Sequence, residues 1–118
     1  MNINIAMILG RLTHDPVLNH TKKGDPVMSL SVATNRRWTD KAGISQERTE
    51  YHNVTLWGKI AEIADRNLRM GDYIFVEGRN ETHEDEKGVK RTEISGNYIQ
   101  FFPRSMREEE GKIGEITL

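Results

Sequence analysis

Thr49-Glu50-Tyr51-His52-Asn53-Val54-Thr55-Leu56-Trp57-Gly58-Lys59 reads as a β-strand that runs straight into a helix. In an extended chain successive side chains point to opposite faces. Tyr51, Asn53, Thr55 and Trp57 therefore share one side, and His52, Val54 and Leu56 the other. Val54 and Leu56 mark the core side. The opposite side alternates two large aromatics with small polar groups, a surface suited to stacking flat ligands. The plainer reading is that Tyr51 and Trp57 pack against another element, since aromatics fill cores and interfaces as readily as ligand sites. The strand alone leaves both open.

Beyond Gly58 the spacing changes from two to about 3.6. Ile60, Ile63, Ala64 and Leu68 fall on one face of a helix expected to run to Met70, where Gly71 supplies a stop. Upstream, Ile3, Ile5, Met7 and Leu9 alternate with Asn4, Ala6 and Ile8 in a first strand over residues 3–12. Apolar side chains on both faces point to a central strand, or to one shared between a core and a subunit interface. Asp15-Pro16 then opens a loop that closes near Gly24-Asp25-Pro26.

The next strand, Val27 to Trp38, puts Met28, Leu30 and Val32 inward and small Ser29, Ser31 and Ala33 outward. Strict alternation gives Trp38 the inward parity, so either a bulge or an extension past the core is expected to free it, the alternative being a buried Trp38. Residues 39–47, with Gly43, read as an exposed hairpin tip. After the helix, residues 72–80 form a strand with Ile74 and Val76 inward. A strongly acidic hairpin follows over 81–88, then a last strand over 90–102 with a bulge or bend at Gly96.

The order is three strands, one helix between strands three and four, then two strands. That is the connectivity of an all-β five-stranded Greek-key barrel of the OB type with one short helix, a fold whose strand 2 to 3 face and loops bind oligonucleotides or oligosaccharides. With 118 residues the chain holds one such domain, expected over 1–102, and a short, flexible, charged tail over 103–118. Cysteine is absent, which excludes disulfides, thiolate metal sites and cysteine nucleophiles. No long apolar run or signal segment is seen, and the expectation is a cytoplasmic, nucleoid-associated protein with no membrane partner.

The net charge of −1 runs against a uniformly basic nucleic-acid binder. Charge is segregated, however. Residues 1–59 carry eight Lys or Arg against five Asp or Glu, and residues 60–118 nine against thirteen, so the half that holds the aromatic strand is locally positive. Enzymatic motifs are missing. His14, His20, His52 and His83 are scattered without metal-ligand spacing, and there is neither a phosphate-binding Gly-Lys loop nor a nucleophile motif. No catalytic residue, metal or cofactor is expected, and His52 reads as a structural, hydrogen-bonded residue.

Several motifs recur in order: Ile8-Leu9-Gly10-Arg11-Leu12 with Asp15-Pro16, Leu30-Ser31-Val32-Ala33-Thr34-Asn35 with Trp38, Thr49-Glu50-Tyr51-His52, Leu56-Trp57-Gly58-Lys59, Ala61-Glu62, and Gly71 with Val76-Glu77-Gly78. On these the chain resembles the bacterial-type single-stranded DNA-binding protein family over residues 2 to about 102. The resemblance implies an OB barrel, a homo-oligomer (tetramer first, dimer second), and wrapping of single strands by stacking bases on aromatics. By position it makes Trp38, Tyr51 and Trp57 the stacking side chains and Lys59 a basic contact. Arg11, Lys22, Lys23, Arg36, Arg37, Arg48 and Lys59 are the candidates to follow the phosphates.

The expected function is sequence-independent binding and protection of single-stranded DNA in replication, recombination or repair. Two departures stand out. Where the family carries basic residues and a further stacking Trp, this chain reads Arg79-Asn80-Glu81-Thr82-His83-Glu84-Asp85-Glu86-Lys87, and residues 103–118 lack the family's acidic Pro-Phe tip. Recruitment of replication proteins through such a tip is therefore not expected. A short organellar, plasmid or phage form would fit the same features. Two other classes also fit the residues, a primosome-like accessory OB protein whose aromatics contact a protein and an RNA-binding OB domain.

Overall fold

The computed structural model describes residues 1–102, and the expected tail over 103–118 lies outside them. In chain order the elements are β1 (Ala6–Leu12), β2 (Val17–His20), β3 (Pro26–Thr39), β4 (Ser45–Trp57), α1 (Lys59–Asn67), β5 (Tyr73–Glu84) and β6 (Lys90–Phe101). Neighbours run β1-β5-β6-β4-β3, and β1 pairs back onto β3, which closes a five-stranded barrel of the OB type. Every pairing is antiparallel except β4 with β6.

The core follows the alternation. Met28, Leu30 and Val32 of β3, Val54 and Leu56 of β4, Ile74 and Val76 of β5, Ile94 of β6 and Leu12 of β1 are buried together. Helix α1 lies between β4 and β5 and adds Ala61 and Ala64, with Leu68 just past its end. It stops at Asn67, three residues short of Met70, because Leu68 leaves the helix in an extended conformation and takes a fully buried place. Asn67 Nδ2 then donates to the Ile63 carbonyl, and the Arg69 amide to Asp72 Oδ2, which satisfy groups a continued helix would have paired.

Closure depends on one glycine. Arg11 and Leu12 of β1 pair with Ala33 and Val32 of β3, and a methyl group on the neighbouring Gly10 would land on the Ala33 carbonyl. Only a residue without Cβ lets the two backbones come this close.

The loop expected over 15–26 contains a strand. Val17–His20 pairs with Pro26–Ser29 along the free edge of β3, which moves the helix from the third to the fourth strand connection. The expected hairpin tip over 39–47 shrinks as well. β3 and β4 stay in register from Val27↔Trp57 to Thr39↔Ser45, so the turn is only Asp40–Ile44. There the Asp40 carboxylate accepts from the amides of Ala42 and Ile44, and Gly43 (φ 78°) takes the left-handed position of a three-residue hairpin loop. The β5–β6 tip repeats this with Asp85 accepting from Lys87 and Val89. The expected irregularity near Gly96 is a bulge: Glu77 faces Tyr98 and Gly78 faces Gly96, so Asn97 is the extra residue.

Candidate nucleic-acid interface

The side of β4 opposite the core is open where the aromatics stand. Tyr51 is 68% exposed and Trp57 50%. Their cross-strand partners explain this. Tyr51 faces Ala33, Asn53 faces Ser31, Thr55 faces Ser29 and Trp57 faces Val27, so small side chains on β3 leave the Tyr51 ring standing clear of the sheet, and Trp57 stands clear at the end of β4. The row through Tyr51 continues across Ala33 to Arg11 on β1, whose guanidinium lies 5.4 Å from the centre of the Tyr73 ring. The row through Trp57 continues across Val27 to Asn19 on β2. Six residues of strand put Tyr51 and Trp57 about 20 Å apart, far enough to hold different bases.

Trp38 stands elsewhere. No register shift interrupts β3 and β4, so the bulge alternative is absent and the strand pair simply runs on past the barrel as a two-stranded arm. Trp38 keeps inward parity, on the face opposite Tyr51 and Trp57, at a level where no core remains. It is 37% exposed, and the Arg36 guanidinium stacks 4.9 Å from its ring centre. Arg36 sits directly opposite Arg48. Like charges facing each other across a ladder are unfavourable unless an anion joins them. Carboxylates offset part of this charge: Arg48 Nε is 2.9 Å from Glu50 and Arg37 Nε 3.6 Å from Glu47, both pairs exposed. Such pairs are worth about 0–1 kcal/mol, so a phosphate could displace the glutamates readily.

Of the other candidate phosphate contacts, Lys59, Lys22 and Lys23 gather at the opposite end of the barrel from this arm. Lys59 opens α1 directly after Trp57 and Gly58. Lys22 and Lys23 form the β2–β3 turn, next to where Pro26 accepts a hydrogen bond from the Gly58 amide. His52 does what a structural histidine does, with Nε2 2.8 Å from the Thr34 hydroxyl at the last inward position before the arm.

Sequence reasoning missed one grouping. Glu81 and His83 share a face of β5, and Glu93 lies directly opposite Glu81 on β6. His83 Nε2 is 3.2 Å from Glu81 Oε2 and 3.1 Å from Glu93 Oε1, beside a hollow lined by Trp57, Glu84, Asp85 and Arg91. Hydrogen bonding from Arg79, and secondarily from His83, holds the Glu81 carboxyl below its ordinary value. Histidine spacing along the chain could not reveal it, since one partner arrives through cross-strand register. The available signal was Glu-x-His inside a strand.

Comparison with known proteins fits this geometry. Residues 3–102 match the model of the single-strand binding protein family. A single-stranded DNA-binding protein of Neisseria meningitidis serogroup A is 38% identical over 94 residues, covering 78% of this chain and 54% of that protein. The chain thus spans about half the length of the curated relatives it matches. Among solved structures, a Plasmodium falciparum SSB in complex with ssDNA superposes with a TM-score of 0.77 at 27% identity, over 87% of this chain and 97% of that one. Wild-type single-stranded DNA binding protein from Thermus aquaticus gives a TM-score of 0.76 at 30% identity, over 86% of this chain and 50% of that one. With a closed OB barrel, an open aromatic face and a family match over nearly all of the described residues, this chain belongs to the single-strand binding protein family.

Proposed function

We propose that this protein binds single-stranded DNA without sequence preference and protects it during replication, recombination or repair. The observation that carries the reading is the open outer face of β4, where Tyr51 and Trp57 stand over the small residues of β3. Paired bases cannot reach such rings, whereas the flat face of any unpaired base can stack on them, and so the surface selects single strands but not sequence. Phosphates follow Arg11 across Ala33 from Tyr51, Lys59 next to Trp57 and the Lys22-Lys23 turn. On the arm, Trp38 and Arg36 offer a second stacking place, with Arg37 and Arg48 beside it. Because that place lies on the other face, the strand passes around the edge of the arm rather than along one flat surface.

Assembly belongs to the same reading. Met7 and Leu9 of β1 project from the barrel with Phe75 opposite Leu9, and Phe75 packs edge-on to Tyr98 at 6.2 Å. Ahead of β1, the Asn4 side chain exchanges two hydrogen bonds with the Asn80 backbone and pins exposed Ile3 and Ile5 next to the same face. A face this apolar needs a cover, and a second copy of the chain supplies one in a homodimer or, by pairing of dimers, a homotetramer. The protein works in the cytoplasm, on the nucleoid.

Competition tests the reading. Labelled oligo-dT bound to the protein is displaced by unlabelled oligo-dT and not by duplex of the same length. Equal displacement by duplex contradicts it, and stronger displacement by single-stranded RNA transfers the activity to RNA.

A further inference from the structure

We propose that Glu81, His83 and Glu93 bind a divalent transition-metal ion of the zinc class on the β5–β6 arm. Nothing irregular is needed to assemble the site. Residues two apart on a strand share a face, which aligns Glu81 with His83, and the β5–β6 register sets Glu93 directly across from Glu81. The three donor atoms all lie within 4.8 Å of one another, and the two separations from His83 Nε2 are 3.1 and 3.2 Å. A tetrahedral zinc ion with bonds of about 2.0–2.2 Å needs donors about 3.3–3.6 Å apart, so the two edges that meet at His83 Nε2 stand within a few tenths of an ångström of that polyhedron, and the third pair of donors is within 4.8 Å.

The outer oxygens are already held. Glu93 Oε2 accepts from the Thr55 hydroxyl at 2.8 Å, and Glu81 Oε1 accepts from Arg79 Nε at 2.8 Å. Each carboxylate is thereby turned so that its other oxygen points at His83, the arrangement in which outer partners orient metal ligands. Hydrogen bonding alone serves the grouping poorly. One ring nitrogen carries at most one N–H, yet Nε2 approaches two carboxylates, and those carboxylates oppose each other across the ladder as like charges. A cation satisfies all three at once. One imidazole with two carboxylates suits zinc, cobalt or nickel better than calcium or magnesium, which ask for six or more oxygens or for several retained waters.

Three protein ligands leave the fourth position to water or to an oxygen of another molecule. Trp57 lines the same hollow. On the single-strand reading, on which this consequence rests, the ion reverses the effect of the acidic arm: it neutralises Glu81 and Glu93 and offers a backbone phosphate a place beside the base stacked on Trp57.

The metal is read on the full untagged chain without DNA. Zinc chloride titrated calorimetrically at neutral pH gives one ion per chain, and cobalt(II) gives visible absorption bands of four-coordinate intensity. His83→Ala and Glu93→Gln each weaken zinc binding about tenfold or more, and Thr55→Val, which frees the outer oxygen of Glu93, weakens it about tenfold. His14→Ala and His20→Ala leave it unchanged. Cooperative thermal melting, checked for each variant and above all for buried Thr55→Val, shows that the variants fold. Absence of a one-to-one isotherm, or an isotherm unaltered in both His83→Ala and Glu93→Gln, overturns the site. Failure of oligo-dT to bind counts against the single-strand reading and leaves the zinc isotherm, and with it the site, standing.

Discussion

Tyr51 and Trp57 owe their exposure to their places: Tyr51 faces Ala33, too small to cover it, and Trp57 ends β4 opposite Val27. Base–aromatic stacking is worth about 1–3 kcal/mol, so Trp57→Ala and Tyr51→Ala should each weaken single-strand affinity by about 5- to 150-fold, as read by anisotropy titration. Lys59→Ala should act differently, weakening all sequences alike and flattening the salt dependence of binding by about 0.7 in slope for one lost phosphate. A second residue-scale prediction concerns pH. The Ile44 amide first, and then the Gln46 side chain, hold the Asp40 carboxyl below its ordinary value. A depressed carboxylate stabilises the fold above its unfolded pKa and stops doing so as the pH falls through the folded one. Protection of the Ala42 and Ile44 amides, taken relative to the intrinsic exchange rate at each pH, should therefore persist at neutral pH and fall only below the ordinary carboxylate range, and Asp40→Ala should show the reduced protection already at pH 7. Alternation alone was enough to separate Tyr51 and Trp57 from the core. It could not say where Trp38 would point, because that depends on whether two strands slip or run on past the barrel.

Among the elements, β1 carries a constraint that bears directly on barrel closure. Its Gly10 has no room for a methyl group against the Ala33 carbonyl, and the neighbouring contact, Val32, is a core side chain. Backbone cannot yield as a surface side chain can, so Gly10→Ala should destabilise the protein by about 1–3 kcal/mol, seen as a lower thermal midpoint. A midpoint equal to that of the parent would show that β1 and β3 are not closed as described. Long elements with clean periods were legible: the inward sets of β3, β4 and β5 are those the alternation picks out. β2 was not. Val17–His20 is four residues long, follows Asp15-Pro16 and gains its stability from pairing with β3, a tertiary effect that local sequence does not record. The length of the β3–β4 arm was hidden for a similar reason, since Asp40 and Gly43 confine the turn to Asp40–Ile44 and let polar residues on either side remain in the ladder.

At the scale of the whole molecule, the barrel presents two unlike outer surfaces. One, over β1, β5 and β6, is apolar through Met7, Leu9, Phe75 and Tyr98, and the other, over β3 and β4, carries the aromatics amid small polar groups. The first is the proposed subunit contact: Met7→Glu with Leu9→Glu should reduce the mass seen by light scattering at micromolar concentration to that of one chain, while circular dichroism stays that of the folded barrel. A parent protein that is itself monomeric under those conditions contradicts the assembly. The second surface bears the central claim, and the chain's two tryptophans, Trp38 on the arm and Trp57 on the barrel, make it directly visible. The measurement is intrinsic fluorescence during titration with oligo-dT at low salt, repeated with duplex of equal length. Strong quenching by oligo-dT, little by duplex, and a clearly smaller loss in Trp57→Ala are the predicted results. Fluorescence unmoved by oligo-dT, or moved equally by duplex, would contradict the account.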